Sequence, residues 1–210
     1  MLYVLRFMFY AIVMRYIVGI DEAGRGPLAG PVCVATVAIP ERIYKSVMFE
    51  FRGVKDSKKI SGIVRDKWLK KIKNHKSKSI LSSSSLVGNA TIDKKGIVRA
   101  VSIALSRSLL KLGIKPLKSK VLLDGSLKAP GVYKYQKTII RGDEKEKIIA
   151  MASIVAKVHR DRHMIRKSKK YPKYGFEIHK GYGTKRHIKK IKEHGLSDIH
   201  RRSFLRSLKF

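Results

Sequence analysis

Short apolar runs alternate along this chain with longer stretches in which apolar residues recur every three or four positions. Tyr16-Ile17-Val18-Gly19-Ile20 is β-branched and apolar, which predicts a buried strand. Pro31 to Ile39 predicts a second. Ser79 to Val87 predicts a third, although it carries the polar run Ser82 to Ser85. Val121-Leu122-Leu123 predicts a short strand ending at Asp124-Gly125, and Thr138-Ile139-Ile140 another, ending at Gly142-Asp143. Between them lie helical patterns. Ser61 can cap a helix running to about His75, with Ile63, Val64, Trp68, Leu69 and Ile72 on its buried side. A second helix opens at Thr91 or Asp93, carries Ile97, Val98, Val101, Leu105, Leu109 and Leu112 at helical spacing, and stops at Gly113. A long helix follows from about Glu144 to Lys169, with Glu144 and Glu146 in its first turn, where the helix dipole favours acids. It must stop before Tyr171-Pro172. A short helix starts after Thr184, and Gly195 can end it.

Strands interleaved with helices predict an α/β layer fold, a mixed central sheet flanked by helices. Three parts are expected: an apolar, non-essential extension over 1–15, a catalytic domain over 16–170, and a small helical, basic, substrate-binding module over 171–210. The leader MLYVLRFMFYAIVMR holds too short an apolar run between Arg6 and Arg15 for a membrane helix, which needs roughly 18–20 residues. Met8 and Met14 are alternative starts, and no membrane partner is expected.

Charge sharpens this picture. The chain has 210 residues, 48 Lys and Arg against 15 Asp and Glu, and a formal charge of +33. Such an excess points to a polyanion, because each phosphate paired with Lys or Arg releases a condensed counterion. Cys33 is the one cysteine, so neither an intrachain disulfide nor a cysteine-based zinc site can form, and a reducing cytoplasm fits. It lies in the apolar run Val32 to Ala35 and reads as a small core residue.

The few acids are not scattered. Asp21-Glu22 follows the first strand, Asp124 another and Asp143 a third. In α/β sheets, sites gather beyond strand ends, so these ends can bring four carboxylates together. Adjacent strand residues point to opposite faces; Asp21 and Glu22 therefore converge only if the strand breaks, which Gly24 and Gly26 allow. Oxygen-only ligands select Mg²⁺ or Mn²⁺ over zinc, and two such ions can clamp the attacking and leaving oxygens of a phosphodiester. Taken alone, Asp124-Gly125 reads as a turn cap, and Asp143 suits a helix N-cap as well as a ligand. The joint pattern favours ligation. GRGPLAG lacks the helix a dinucleotide fingerprint needs, since Pro27 and Pro31 oppose it. His159 and His163 have a zinc-compatible spacing but sit among Lys157, Arg160, Asp161 and Arg162, which reads as a basic, solvated or DNA-facing side.

GIDEAGRGPLAGPV (Gly19 to Val32), DSKK (Asp56 to Lys59), LLDG (Leu122 to Gly125), GDEKEKIIAMASIVAKVHRDR (Gly142 to Arg162), HKGYGTKRH (His179 to His187) and HRRSF (His200 to Phe204) together resemble type 2 ribonuclease H, the ribonuclease HII family. The resemblance runs from about Tyr16 to Phe204. It implies a ribonuclease H-like fold with a small C-terminal helical part. It also implies endonucleolytic cleavage of RNA in RNA–DNA hybrids and at single ribonucleotides embedded in duplex DNA, with a role in ribonucleotide excision repair and primer removal. Carried over, Asp21, Glu22, Asp124 and Asp143 match the catalytic metal ligands. Gly24-Arg25-Gly26 matches the turn whose backbone reads the ribose 2′-OH, the only sugar group separating RNA from DNA. Tyr182 matches a tyrosine that stacks on the adjacent sugar. Lys58 and Arg25 are phosphate contacts, and Lys180, Lys185, Arg186, Arg201 and Arg202 are expected along the nucleic-acid backbone. Met151 replaces a smaller residue usual in that family. A monomer is expected. Ribonuclease HIII is the rival within the fold, disfavoured by Arg25 and the short leader; a non-catalytic basic nucleic-acid-binding protein is the rival from another class.

Overall fold

A computed structural model describes residues 15–54, 57, 60–75 and 79–206. The leader up to residue 14, Lys58 and the last four residues lie outside this set. Five strands form one sheet in the order β3-β2-β1-β4-β5, with β1 Tyr16–Ala23, β2 Val32–Pro40, β3 Leu81–Val87, β4 Ser119–Asp124 and β5 Tyr135–Ile139. β2 runs antiparallel to both β1 and β3, while β4 runs parallel to β1 and to β5. The sheet is therefore mixed, as the strand–helix alternation predicts.

The helices are α1 Tyr44–Glu50, α2 Gly62–Lys73, α3 Asn89–Leu112, α4 Gly142–Lys145, α5 Lys147–Lys170, α6 Phe176–His179 and α7 Lys185–His194. Helix α3 covers one face of the sheet. Its Val101, Leu105 and Leu109 pack with Val18 and Ile20 of β1 and Val121 and Leu123 of β4. Helix α5 covers the other face, packing Ile148, Ile149, Ala152 and Val155 against Ala35, Val37 and Leu122. Covered on both sides, β2 is buried at every position, which is why it reads as an unbroken apolar run. Its one polar interior residue, Thr36, shares hydroxyl hydrogen bonds with Ser83 at 2.7 Å and Ser108 at 2.9 Å. Ser83 of β3 thus has partners on an edge strand.

The residue pattern locates most elements and misplaces some details. Ser61 caps α2 as expected, its hydroxyl accepting from Val64 N–H. Ile63 is 72% exposed, however, and only Leu69 and Ile72 of that helix are buried. Helix α3 begins at Asn89, not at Thr91 or Asp93, and kinks at Gly96, whose φ of 77° takes it out of helical geometry. Val98 faces solvent. The predicted helix from Glu144 divides in two at Glu146, which adopts φ −120° and ψ 113°. Cys33 is buried, and burial first of all pushes its thiol up to about 12, so it behaves as the core residue expected.

Residues 171–206 lie against α5 and the loop after β1. Tyr174, Phe176 and Ile199 pack with Ala29 and Met164. Backbone hydrogen bonds stitch the two together: Leu28 N–H to Gly181 carbonyl at 2.8 Å, Gly30 N–H to Ile199 carbonyl at 2.8 Å and Arg201 N–H to Leu28 carbonyl at 2.8 Å. Among the described residues, no helix is long and apolar enough to cross a membrane.

Helix α5 approaches β1 closely at Gly19. A Cβ there would sit 2.4 Å from the carbonyl oxygen of Ile148, a backbone atom that cannot swing aside. Gly19→Ala is expected to destabilise the fold by about 1–3 kcal/mol, as overpacking does, lowering the thermal midpoint by about 2–12 °C. Calorimetry of the purified variant checks this.

Candidate active site

Parallel β1 and β4 end side by side, which places Asp21 beside Asp124. Strand alternation points both toward α5, on the same side as Leu122. After β5 the chain turns back sharply. Arg141 takes a left-handed φ of 54°, and Gly142 follows with no room for a side chain, since a Cβ would meet Ile149 Cδ1 at 2.6 Å and Asp124 Oδ1 at 3.2 Å. This turn delivers Asp143 into the first turn of α4, buried to 7% exposure. Asp21, Asp124 and Asp143 each offer a carboxylate oxygen, and the three lie within 4.8 Å of one another.

Local donors aim these carboxylates. Asp21 Oδ1 accepts the N–H of Glu22 at 2.7 Å. Asp124 Oδ1 accepts the N–H of Gly142 at 2.6 Å. Burial raises the Asp21 carboxyl well above the usual range; the charge of Glu22 adds to this, a hydrogen bond from Ser153 opposes it, and Asp124 raises it further. Three clustered carboxylates repel one another and are satisfied together by a divalent cation. With oxygen donors alone, the trio fits a hard ion.

Glu22 differs from expectation. The strand does not break after Asp21: the ladder continues through Asp21 opposite Ala35 and Glu22 opposite Val34. Alternation therefore sends Glu22 to the α3 side, where its Oε1 pairs with Arg25 Nη1 at 3.1 Å. It stands next to the trio and not within the 4.8 Å set.

The Gly24–Gly26 turn begins directly beyond Glu22. Gly24 has a φ of 92°, and a Cβ there would overlap the Arg160 side chain at 2.0 Å. Two guanidinium groups lie beneath this loop, both 0% exposed. Arg201 donates to the carbonyls of Gly24 at 2.7 Å, Arg25 at 2.8 Å and Gly30 at 2.9 Å. Arg160 donates to those of Pro31 at 2.9 Å, Lys180 at 3.1 Å and Ala29 at 3.2 Å. Burial, and then repulsion from Arg160, pull Arg201 down to about 9, still protonated at neutral pH. The expectation that Arg201 contacts nucleic acid is thereby corrected: its charge is spent on loop carbonyls and never reaches solvent. The neighbouring Arg202 is exposed, as are Lys185 and Arg186 at the start of α7. Lys180 is half-buried and its Nζ donates to the Glu177 carbonyl. Tyr182 is 39% exposed, with Lys157 Nζ 5.3 Å and Arg160 Cζ 5.5 Å from its ring.

Sequence reasoning passed over three histidines that shape this end of the molecule. His179, His187 and His200 stack, with ring centroids 4.3 Å and 5.2 Å apart. Their tautomers follow from their partners. His179 Nε2 faces the Tyr174 carbonyl at 2.8 Å and so carries the proton, while its Nδ1 accepts from Gly181 N–H. His187 Nδ1 donates to the Tyr182 carbonyl at 2.9 Å, which leaves its Nε2 to accept from His200 Nε2 at 3.1 Å. His200 Nδ1 then accepts from Ser197 N–H at 2.8 Å. Every ring is neutral, and an added proton would break a bond in the chain. The only sequence signal is the density of histidine within HKGYGTKRH and HRRSF. His159 also departs from the reading of a solvated face: it is partly buried and its Nδ1 bonds the Ser84 hydroxyl. Asp93, expected near a helix start, instead accepts from the N–H groups of Arg202 at 3.1 Å and Ser203 at 2.9 Å, fixing the segment that carries Arg201.

A mixed sheet with an oxygen-only acidic trio beyond two parallel strand ends defines a ribonuclease H-type metal-dependent endonuclease, and solved structures agree. The fold matches ribonuclease HII in its complex with PCNA from Archaeoglobus fulgidus, with a TM-score of 0.72 and 25% identity over 92% of this chain and 95% of that one. It also matches ribonuclease H2 of Pyrococcus horikoshii, with a TM-score of 0.67 and 26% identity over 90% and 93%. Bst-RNase HIII in complex with Mn²⁺ shares the fold, with a TM-score of 0.60 and 18% identity over 86% of this chain and 63% of that one. The sequence model of the family described as Ribonuclease HII matches residues 18–207, and the chain belongs to that family. Among curated relatives, ribonuclease HII of Caldicellulosiruptor saccharolyticus is 44% identical over 92% of this chain and 89% of its own length. That of Bacillus anthracis is 42% identical over 91% and 69%. The protein is a ribonuclease H that hydrolyses RNA in RNA–DNA hybrids.

Burial, first of all, depresses His187 and His200 from the ordinary 6.5 to about 4. Their neutral forms therefore stabilise the fold above pH 6.5, and that contribution is lost as pH falls toward 4, by roughly 2–3 kcal/mol for each ring. Proton NMR titration is expected to show both imidazoles still neutral at pH 5.5. Ordinary titration near 6.5 would contradict the network.

Proposed function

We propose that the chain cuts duplex DNA on the 5′ side of a single embedded ribonucleotide, as well as hybrids, leaving 3′-OH and 5′-phosphate ends. The observation that carries this reading is the junction of two features: the Asp21–Asp124–Asp143 trio, and a glycine turn three residues beyond Asp21 whose carbonyls are drawn into the protein. With the carbonyls of Gly24 and Arg25 committed to Arg201, the amides of Arg25 and Gly26 would be the backbone groups this turn offers to substrate. An N–H aimed outward from a glycine turn can meet a ribose 2′-OH at close range, and a deoxyribose offers it no partner.

Asp21, Asp124 and Asp143 would hold the metal, with Glu22 completing the set from the neighbouring strand position. Mg²⁺ or Mn²⁺ is the ion this donor set suits. The chemistry supplied by the bound metal is activation of water for in-line attack and stabilisation of the departing 3′ oxygen. The chain's own residues position the reaction. Glu22 N–H and Gly142 N–H fix the carboxylate rotamers. The Glu22–Arg25 pair ties the metal side to the ribose-reading side. Tyr182, backed by Lys157 and Arg160, offers a flat ring for the sugar next to the ribonucleotide. Lys180, Lys185 and Arg202 contact backbone phosphates, and Arg201 acts by shaping the turn. Lys58 belongs to the same phosphate-facing group in this reading, although it lies outside the described residues. Residues 16–170 would carry the chemistry and 171–210 the grip on substrate. The protein would act as a cytoplasmic monomer, away from membranes, in ribonucleotide repair and primer removal.

Asp21→Asn is expected to lower cleavage of a duplex with one ribonucleotide by about 10²-fold or more, while binding changes little. The assay is run with and without Mg²⁺, on an all-DNA control, with products mapped by sequencing gel. Wild-type cleavage by the variant, or cutting independent of metal, would remove the ligand assignment. Products ending on the 3′ side of the ribonucleotide would remove the incision reading alone.

A further inference from the structure

Edge strand β3 and the two helices beside it line an open cavity of about 760 Å³ that the reaction does not use. Helix α3 brings Arg107 and Lys111 to it, four residues apart, and α5 brings Arg162 and Arg166 at the same spacing. Residues four apart share a helix face, and like charges placed so repel each other. Here they repel along each helix and again across the strand. No acidic residue lines the cavity among the described residues. Arg162 reaches Asp66 at 2.6 Å, and Lys111 Nζ donates to the Ser84 carbonyl at 3.0 Å. For Arg107 and Arg166 the described residues provide no acid. Ser84 and Ser85 add hydroxyls to the wall. His159, at its back, is pushed down to about 4, first by burial and then by Lys73, Arg162, Arg166 and Lys111, a measure of how much positive charge converges there.

The register locates this cavity. Ser85 pairs with Val34, and Val34 with Glu22, so it stands level with the acidic centre, two strands away. At the usual strand spacing that is roughly 10 Å across the sheet. We propose that the Arg107–Lys111–Arg162–Arg166 cavity is a second anion site, separate from the acidic trio, that binds phosphate groups. Guanidinium forks match phosphate oxygens in pairs, and four cations of which, among the described residues, only Arg162 meets a carboxylate, that of Asp66, suit a multivalent anion better than a lone carboxyl group. The phosphates can come from a polynucleotide backbone passing beyond the cleavage site or from a free polyphosphate; both present the same oxygens.

The test is a full-length Arg107→Gln/Arg166→Gln variant, compared with Lys94→Gln/Lys95→Gln, which removes equal charge from exposed positions elsewhere on α3. Fluorescence anisotropy follows binding to a ribonucleotide-free DNA duplex across a salt series, in chelator so that the metal site plays no part. Calorimetry follows inorganic tripolyphosphate in the same buffer. If backbone phosphates occupy the cavity, the slope of log K against log salt becomes shallower by about 2 in the arginine variant and not in the lysine variant. Arg107→Lys/Arg166→Lys should restore most of it. Loss of tripolyphosphate binding by tenfold or more, with the duplex unaffected, would support the site and assign it to free polyphosphate. Arginine and lysine variants that behave alike toward both probes would overturn the proposal. Since neither probe is cleaved, that result leaves the metal-site reading untouched, just as an active Asp21→Asn would leave this one.

Discussion

Two guanidinium groups buried beneath the Gly24–Pro31 loop hold the active end of this protein together. A buried cation is costly unless its donors are met. Here Arg160, through Nε and Nη2, and Arg201 find backbone carbonyls, three apiece, drawn from the loop after β1 and from the segment around Lys180, while Arg160 Nη1 is left without a partner among the described residues. The loop thus becomes the solvation shell of the two charges. That fixes its carbonyls inward, sets Gly24 against Arg160 with no space for a Cβ, and binds the last helical segments to the central strand. The acidic trio depends on the same frame, because Asp21 lies at the strand end from which the loop departs.

The two halves of the site solve different electrostatic problems. Among the acids, charge is concentrated to attract a cation. Within the C-terminal histidine cluster, charge is excluded: His187 and His200 form a neutral chain of donors and acceptors, stacked on His179, that carries the Tyr182 loop on one end and the Ser197 segment on the other. A neutral imidazole offers one donor and one acceptor, and a chain of them is directional. That direction fixes the backbone around Tyr182 without placing further positive charge beside two buried guanidinium groups.

Much of the fold was legible in the residue pattern because apolar periodicity reports burial directly. β2 read as a continuous apolar run since both its faces are covered, and Ser61, Thr184, Gly113 and Gly195 marked helix ends by their own chemistry. The acidic trio could be anticipated from Asp residues at strand ends. What stayed hidden depended on pairing at long range. An arginine looks the same in sequence whether it meets phosphate or six buried carbonyls shared with a neighbour, so Arg201 was misplaced. Ile63 and Val98 followed helical spacing yet face solvent, because spacing does not say how wide the covering surface is. Glu22 was expected to swing round to Asp21, and the unbroken β1–β2 ladder shows that convergence was not needed for three carboxylates to meet.

The bond from Arg201 to the Gly24 carbonyl joins positions 177 residues apart. During synthesis, the acids of β1, β4 and α4 leave the ribosome long before the arginine that shapes the Gly24–Gly26 turn. A nascent polypeptide can therefore bring its acidic trio together while the neighbouring turn still lacks the guanidinium that draws its carbonyls inward.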